Sequence, residues 1–345
     1  MKKDDRIIHS KNYKKGSFQN LSHTPTMAPD VSYFQILKDM LRRPKSVRPQ
    51  QIIPSIKTDL RSISSKEPVI VWFGHSSYLI HCDGRNILVD PVFSGHASPF
   101  SYMVRAFDGS NVYTADDMPE IELLVLTHNH YDHMDVQTID KLKGKVKNYL
   151  TAIGVKQSLE KMGIDAQKIT DLDWWEKKEY ENHFVLTATP ARHFSGRGIK
   201  RGGSLWASFV LEIDDYRIFI GGDSGYDTHF KLIGDTFGPF DIAILECGQY
   251  NKSWPFIHMM PEETVEACID LNAEILLPVH WGKFALANHP WNEPIQRVKE
   301  SAKQKEVKML SPMIGEPITI RKNLLSKELT ESESNLQKEW WNFDL

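Results

Sequence analysis

The sequence predicts an α/β fold in which two mixed β-sheets pack face to face with helices on their outer faces, an αββα sandwich. Three observations carry this. Short apolar runs bounded by turn residues alternate with stretches of helical period, and they do so in two similar halves. No self-similar period of about 20–50 residues runs through the chain, which excludes solenoids and propellers. The 345 residues are 41% hydrophobic and 25% charged, enough to build the core of one large domain.

The elements follow in order. Residues 1–66 read as an arm that packs on the body, polar and punctuated by Pro25, Pro29, Pro44, Pro49 and Pro54. Within it Tyr33, Phe34, Leu37, Met40 and Leu41 recur at helical spacing ahead of Arg42, Arg43, Lys45 and Arg48, the pattern of a short amphipathic helix. The body spans 67–323. Its strands are expected at Val69–Phe73, Tyr78–Cys82 and Asn86–Asp90, with Cys82-Asp83-Gly84-Arg85 turning between the last two. Ile121–Thr127 is too short for a helix and reads as a buried strand. Further strands are expected at Phe184–Pro190, Leu205–Ile213, Arg217–Gly221, Asp241–Glu246 and Ile275–His280. Helices are expected around 135–143, 154–163, 227–235, 261–271 and 293–304, the fourth opened by Pro261-Glu262-Glu263. The tail 324–345 is charged but closes with Trp340, Trp341 and Phe343, whose rings are expected to dock on the body.

Composition excludes several classes. Cys82, Cys247 and Cys268 are too few and too widely spaced for a disulfide framework or a paired-cysteine metal clip, which favours a reducing compartment. No apolar run approaches the roughly 18 residues of a membrane span, and the start lacks a secretory-type apolar segment. A cytoplasmic location follows as the expectation; a signal cleaved ahead of residue 1 stays open. The net charge of −3 hides an asymmetry: residues 1–50 hold eleven Lys/Arg against four Asp/Glu, +7, so the remainder carries −3 − 7 = −10. The basic arm suits either a solvated tail or peripheral contact with anionic phosphates or a lipid surface. The acidic body, without a basic stacking platform, disfavours a nucleic-acid partner.

The chemistry concentrates in Thr127-His128-Asn129-His130-Tyr131-Asp132-His133, directly after the apolar run Ile121–Leu126. Three imidazoles and a carboxylate in one tight loop serve no packing purpose, and they are the donors that Zn²⁺ prefers at about 2.0–2.2 Å. The spacing lets His128 and His130 face one ion while Asp132 and His133 turn to a second. Other strand ends supply single donors: His193 after 184–190, Asp223 in Gly221-Gly222-Asp223-Ser224-Gly225, and His280 in Val279-His280-Trp281-Gly282. Each alone reads as a turn former or a satisfied polar residue; together they converge on one edge of a layered sheet.

From about residue 68 to 310 these segments resemble the metallo-β-lactamase superfamily, whose His-x-His-x-Asp-His signature matches 128–133. The likeness is closest to the N-acylphosphatidylethanolamine-hydrolysing phospholipase D family and its bacterial relatives. It is carried by 88–94, 97–99, 127–135, 190–197, 222–226, 237–241, His258 with Pro261-Glu262-Glu263, and 280–288. The resemblance implies the metallo-β-lactamase fold and two Zn²⁺ per chain, with iron or manganese as alternatives. It assigns His128, His130 and His193 to one ion, Asp132, His133 and His280 to the other, and Asp223 to both. It implies phosphodiester hydrolysis of N-acyl phosphatidylethanolamine-like lipids by a metal-bound hydroxide, with Asp132 and His258 in catalysis. Arg197 and Lys283 are expected to hold phosphate and His75 to line the pocket, although His258 also reads as a helix cap, Arg197 and Lys283 as surface charges, and His75 as structural. Lys283, Phe194 and Ser224 depart from the family's usual Thr, Trp and Thr. A small-molecule or phospholipid substrate follows, with the oligomeric state open. The competing readings are a lactonase similar to ascorbate-6-phosphate lactonase, iron-dependent redox chemistry, and a metal-binding module without catalysis.

Overall fold

Val69–Trp72 (β3), Tyr78–Cys82 (β4), Arg85–Val89 (β5) and Ile121–Leu126 (β6) have almost no polar face, because both of their faces are covered. Alternate residues go to opposite sides. Ile70, Trp72, Ile80, Ile87, Val89, Leu123 and Val125 enter the central core, whereas Val69, Val71, Leu79, Leu88, Leu124 and Leu126 pack outward onto Ile139, Leu142 and Leu159 of two helices.

The structure is a computed structural model that describes residues 5–181, 183–198, 201–322 and 339–342, apart from the Tyr33 side chain. Before β3 come α1 (Asp5–His9), β1 (Tyr13–Lys14), β2 (Ser17–Phe18) and α2 (Tyr33–Leu41). After β6 come α3 (Val136–Leu142), β7 (Val146–Ala152), α4 (Lys156–Lys161), β8 (Ile169–Leu172), β9 (Lys177–Tyr180) and β10 (Phe184–Thr189). Next are β11 (Ser208–Ile213), β12 (Tyr216–Ile220), α5 (His229–Phe237), β13 (Ile242–Glu246), α6 (Pro261–Asp270), β14 (Leu276–Val279), α7 (Glu293–Gln304) and β15 (Pro317–Thr319). Among the described residues the two large sheets run β15-β3-β4-β5-β6-β7-β8 and β14-β13-β12-β11-β10-β9, each mixing parallel and antiparallel pairs.

The expected strands and helices are present with ends shifted by up to three residues, while α1, β1, β2, β7, β8, β9 and β15 were not expected. Lys147 and Asn148 interrupt the apolar pattern of β7, and Lys177, Lys178 and Glu179 of the edge strand β9 are exposed. β15 pairs with β3 from the far end of the chain, a long-range pairing that local pattern does not encode.

The first 66 residues touch the body at many points. Arg6 pairs with Asp171 at 2.8 Å, and the Arg43 guanidinium donates to the Ala285 and Leu286 carbonyls. Ser55 bridges to Ile314. At the other end Trp340 stacks on Trp281 at 5.1 Å, and the buried Trp341 meets Trp281 edge-on at 5.8 Å. Phe343 lies outside the described residues, as does most of 324–345.

Candidate metal centre

Parallel strands set the place of the site. β5 and β6 run side by side with Val89 opposite Val125, so Asp90 and the 127–133 loop leave the first sheet together. In the second sheet β12, β13 and β14 are parallel in register, which brings Asp223, Glu246 and His280 to a common edge. Ligands bind at such carboxyl ends because the turns there converge on one crevice. Close packing holds the turns: a Cβ on Gly222 would come within 2.9 Å of the Ala207 carbonyl and 3.0 Å of Thr127. His75, Asp90 and His280 adopt φ of 53°, 41° and 68°, strained for residues with a side chain, and such strain concentrates at functional sites.

Two four-residue sets of donors result, each with its atoms within 4.8 Å of one another: His128, His130, His193 and Asp223, and His75, Asp132, His133 and His280; Asp223 and His280 also group with His258. In the first, His130 Nδ1 is 2.9 Å from His128 Nε2 and 3.2 Å from His193 Nε2. Asp223 Oδ2 lies 3.7 and 3.6 Å from those same Nε2 atoms, while Oδ1 lies 3.1 Å from His133 Nε2 and 3.1 Å from His280 Nδ1. One carboxylate therefore faces both sets.

The rings are aimed from behind. His133 Nδ1 donates to Asp90 Oδ2 at 2.7 Å, and His193 Nδ1 donates to the Ile257 carbonyl at 2.7 Å, so each presents Nε2 to the centre. Thr127 Oγ1 donates to Asp90 at 2.6 Å and lies 3.0 Å from His128 Nδ1, while Ser76 Oγ shares a 2.8 Å bond with His280 Nδ1. Asp90, Thr127 and Ser76 were not expected as site residues. Their signal was position alone, beside the carboxyl ends of strands that carry donors.

Burial holds the His128, His193 and His280 rings well below the ordinary imidazole range, and takes His130 to about 4. They are neutral lone-pair donors at pH 7. Burial would raise the Asp132 and Asp223 carboxyls, but the surrounding imidazoles, His133 foremost, outweigh it and hold both well below the carboxylate range. The buried side chains of Asp223, Asp132 and Asp90 surround His133 and hold its ring well above its usual range against its own burial. Divalent cations fit this donor set. His133 Nε2, Asp223 Oδ1 and His280 Nε2 are buried with no hydrogen-bond partner among the described residues, and imidazole with carboxylate is the ligand chemistry of zinc, iron and manganese.

A cavity of about 510 Å³ opens over the donors. His130, Asp132, His193, Asp223 and His258 form its polar floor; Met27, Ile36, Met40, Phe194, Trp254, Ile257 and Leu286 form an apolar wall. His258 Nδ1 is held by the buried Glu246 carboxylate at 3.1 Å, which leaves Nε2 as its other ring nitrogen. Glu246 also accepts from Ser224 N at 3.0 Å; burial lifts its carboxyl to about 7. Glu246, Trp254 and the arm residues Met27, Ile36 and Met40 were missed, because nothing local marks a strand end or a distant arm as cavity lining.

None of the three expected substrate contacts, Arg197, Lys283 and His75, lines this cavity. Lys283 is fully buried, its Nζ 3.1 and 2.9 Å from the Phe73 and Val92 carbonyls, and burial lowers its pKa to about 7. Arg197 donates to the carbonyls of Asn129 and Met134, bracing the histidine loop, and lines a separate depression of about 300 Å³. His75 is enclosed, its Nε2 donating to Asp132 Oδ2 at 3.0 Å. The guanidinium that does line the cavity is Arg201, set over the Phe194 ring at 4.8 Å.

The Beta-lactamase superfamily domain matches residues 85–281. An uncharacterized protein of Mycobacterium tuberculosis is 34% identical over 314 residues, 90% of this chain and 84% of the relative. N-acyl-phosphatidylethanolamine-hydrolyzing phospholipase D 1 of Caenorhabditis elegans is 30% identical over 249 residues, 66% of this chain and 68% of that protein. Among solved structures, the metallo hydrolase Igni18 of Ignicoccus hospitalis aligns with a TM-score of 0.57 at 19% identity, over 74% of this chain and 98% of that one, a likeness of fold.

Proposed function

This chain belongs to the metallo-β-lactamase superfamily as a metal-dependent hydrolase, and from that premise we propose that it cleaves lipid phosphodiesters on the head-group side, as a phospholipase D does. One observation carries the reading: a floor of histidine and aspartate donors lies at the bottom of an apolar-walled cavity of about 510 Å³. Such a site takes a polar reacting group with an apolar chain attached. The relative from Caenorhabditis elegans, named for hydrolysis of N-acyl phosphatidylethanolamine, supports that substrate class.

His128, His130 and His193 would hold one ion, Asp132, His133 and His280 a second, and Asp223 both; zinc is the metal we propose. When bound, the ions supply Lewis acidity and lower the pKa of water. The chain's own groups do the rest. Asp132, anchored on one oxygen by His75, orients the attacking water by accepting a hydrogen bond from it. His258, fixed by Glu246 and raised to about 9 by Glu246, Asp223 and Asp132 against its own burial, gives a proton to the departing alcohol. Arg201 takes the phosphoryl oxygens at the rim. Met27, Ile36, Met40 and Leu286 exclude water along the chain.

Hydrolysis of an N-acyl phosphatidylethanolamine in ¹⁸O water tests the reading. Label is expected in the phosphatidic acid, with N-acylethanolamine unlabelled. Label in a carboxylate would assign carbonyl chemistry of the lactonase type instead.

A further inference from the structure

We propose that α2 and the loop 97–104 form one surface that seats the cavity mouth on an anionic lipid bilayer, an inference that rests on the lipid reading above. An amphipathic helix on a globular protein buries one apolar face. α2 has two. Ile36 and Met40, one turn apart, line the cavity, while Phe34, Leu37 and Leu41 share a second stripe that faces solvent, with Phe34 76% and Leu41 80% exposed. A contiguous apolar stripe of this kind marks an interaction site.

The second projection is a loop closed by the His96–Arg105 bridge and the Ala97–Val104 hydrogen bond. Its end carries Phe100, Met103 and Tyr102, the last 74% exposed, with the Phe100 and Tyr102 rings stacked at 5.7 Å. The segment after α2 ties the two together. Arg48 donates to the Arg105 and Ala106 carbonyls, and Arg43 to those of Ala285 and Leu286. Leu286 and Val104 pack on the same small cluster of Val92, Ala97 and Phe284, and Leu286, like Met40, lines the cavity.

Charge selects the occupant. Across 33–50 and 97–105 the chain carries Lys38, Arg42, Arg43, Lys45, Arg48 and Arg105 against the single carboxylate of Asp39, although the whole protein is at −3. Lys38, Arg42, Lys45 and Arg105 are exposed. Apolar side chains flanked by cations match the acyl boundary and the phosphate level of an anionic leaflet. A second copy seated on the same face would set cations against cations.

Vesicle flotation of the full chain tests this. Mixed phosphatidylcholine–phosphatidylglycerol vesicles are expected to carry the protein and phosphatidylcholine vesicles to carry far less. Replacing Lys38, Arg42 and Lys45 by Gln should weaken binding roughly fivefold per cation. The variants Phe34→Ser/Leu37→Ser/Leu41→Ser and Phe100→Ser/Tyr102→Ser should each lose about tenfold or more. Both should keep wild-type turnover of soluble bis(p-nitrophenyl) phosphate, which shows an intact fold. The proposal is overturned by a wild type that does not float, by serine variants that float like wild type, or by a dimer that the serine variants convert to monomer. Absence of phosphodiester turnover would sink the lipid-hydrolase reading alone, since flotation and thermal melting still decide the docking.

Discussion

The floor and the wall of the cavity are built to different standards. Every histidine of the 128–133 motif sits at a carboxyl strand end, and the buried side chains of Asp90, Thr127 and Ser76 orient rings from behind. Part of the wall comes from elsewhere: Met27, Ile36 and Met40 belong to the first 66 residues, are half-buried or exposed, and make apolar contacts that have no direction. Donor atoms around a metal must be placed to within a few tenths of an ångström, so each needs its own brace. A chain of methylenes needs only an apolar volume, and side chains such as Met adapt to it. The chemistry is therefore over-determined and the specificity loosely held.

Substitutions can break that contrast, and the largest effect falls on the carboxylate shared by both donor sets. Asp223→Ala is expected to lower turnover by roughly a thousandfold or more, because several kcal/mol of charge stabilisation are lost. Elemental analysis should find metal reduced at both positions, from about two ions per chain, whereas His280→Ala should empty mainly one. Equal and independent losses from the two variants would refute the bridging role.

His258→Ala probes the margin between floor and wall. A proton donor of this kind contributes about 10²–10⁴-fold, so turnover should fall within that range while metal content stays at the wild-type level. Loss of a metal ion would make His258 a ligand, which its place beside Asp223 and His280 also permits. Unchanged turnover and metal would leave it a structural partner of Glu246, since Met260 and not His258 is the N-cap of α6.

The wall should respond differently in kind. Trp254→Ala or Ile36→Ala is expected to raise KM about three- to tenfold at nearly constant kcat, the signature of lost apolar contact made equally in ground and transition states. A large fall in kcat from either change would mean that the wall positions the reacting group, and the contrast would collapse.

The smallest effect concerns the buried Lys283. Burial lowers its pKa to about 7, below the 10.5 of the exposed side chain, so the unfolded chain binds more protons between those values. Stability from this group accordingly rises with pH from about 7 to about 10 and is lost as pH falls through 7. A neutral amine has two N–H groups, which matches its two carbonyl acceptors at Phe73 and Val92. Urea titrations across that window should show the rise in wild type and a flatter profile in Lys283→Met. Parallel profiles would mean that the lysine is charged in the folded state.

Much of this was legible in the chain. Ile121–Leu126 had to be a buried strand, and three imidazoles with a carboxylate directly behind it had no role in packing. His193, Asp223 and His280 were visible as single donors after other strands, and α2 as an amphipathic helix. The departures cluster on long polar side chains. Arg197 and Lys283 were expected to hold phosphate, and both fold back onto backbone carbonyls. A cation's charge is written in its residue type, whereas the direction of a four- or five-bond side chain is decided by whichever acceptor lies nearest in space.

The same division runs through the whole molecule. The sequence by itself determined the sandwich, the donor types and their position at strand ends, because alternation of period 2 and the turn after a strand are local properties of the chain. Only the tertiary structure decided what stands behind and above those donors: Asp90 behind His133, Glu246 behind His258, Arg201 in place of Arg197, and an arm helix with one apolar stripe over the cavity and another toward solvent. The two side-chain pairings join residues 12 and 43 positions apart, the arm helix meets the cavity across far longer stretches of chain, and no local pattern specifies them. They arise when two sheets close on one core and the turns at their edges are forced into contact.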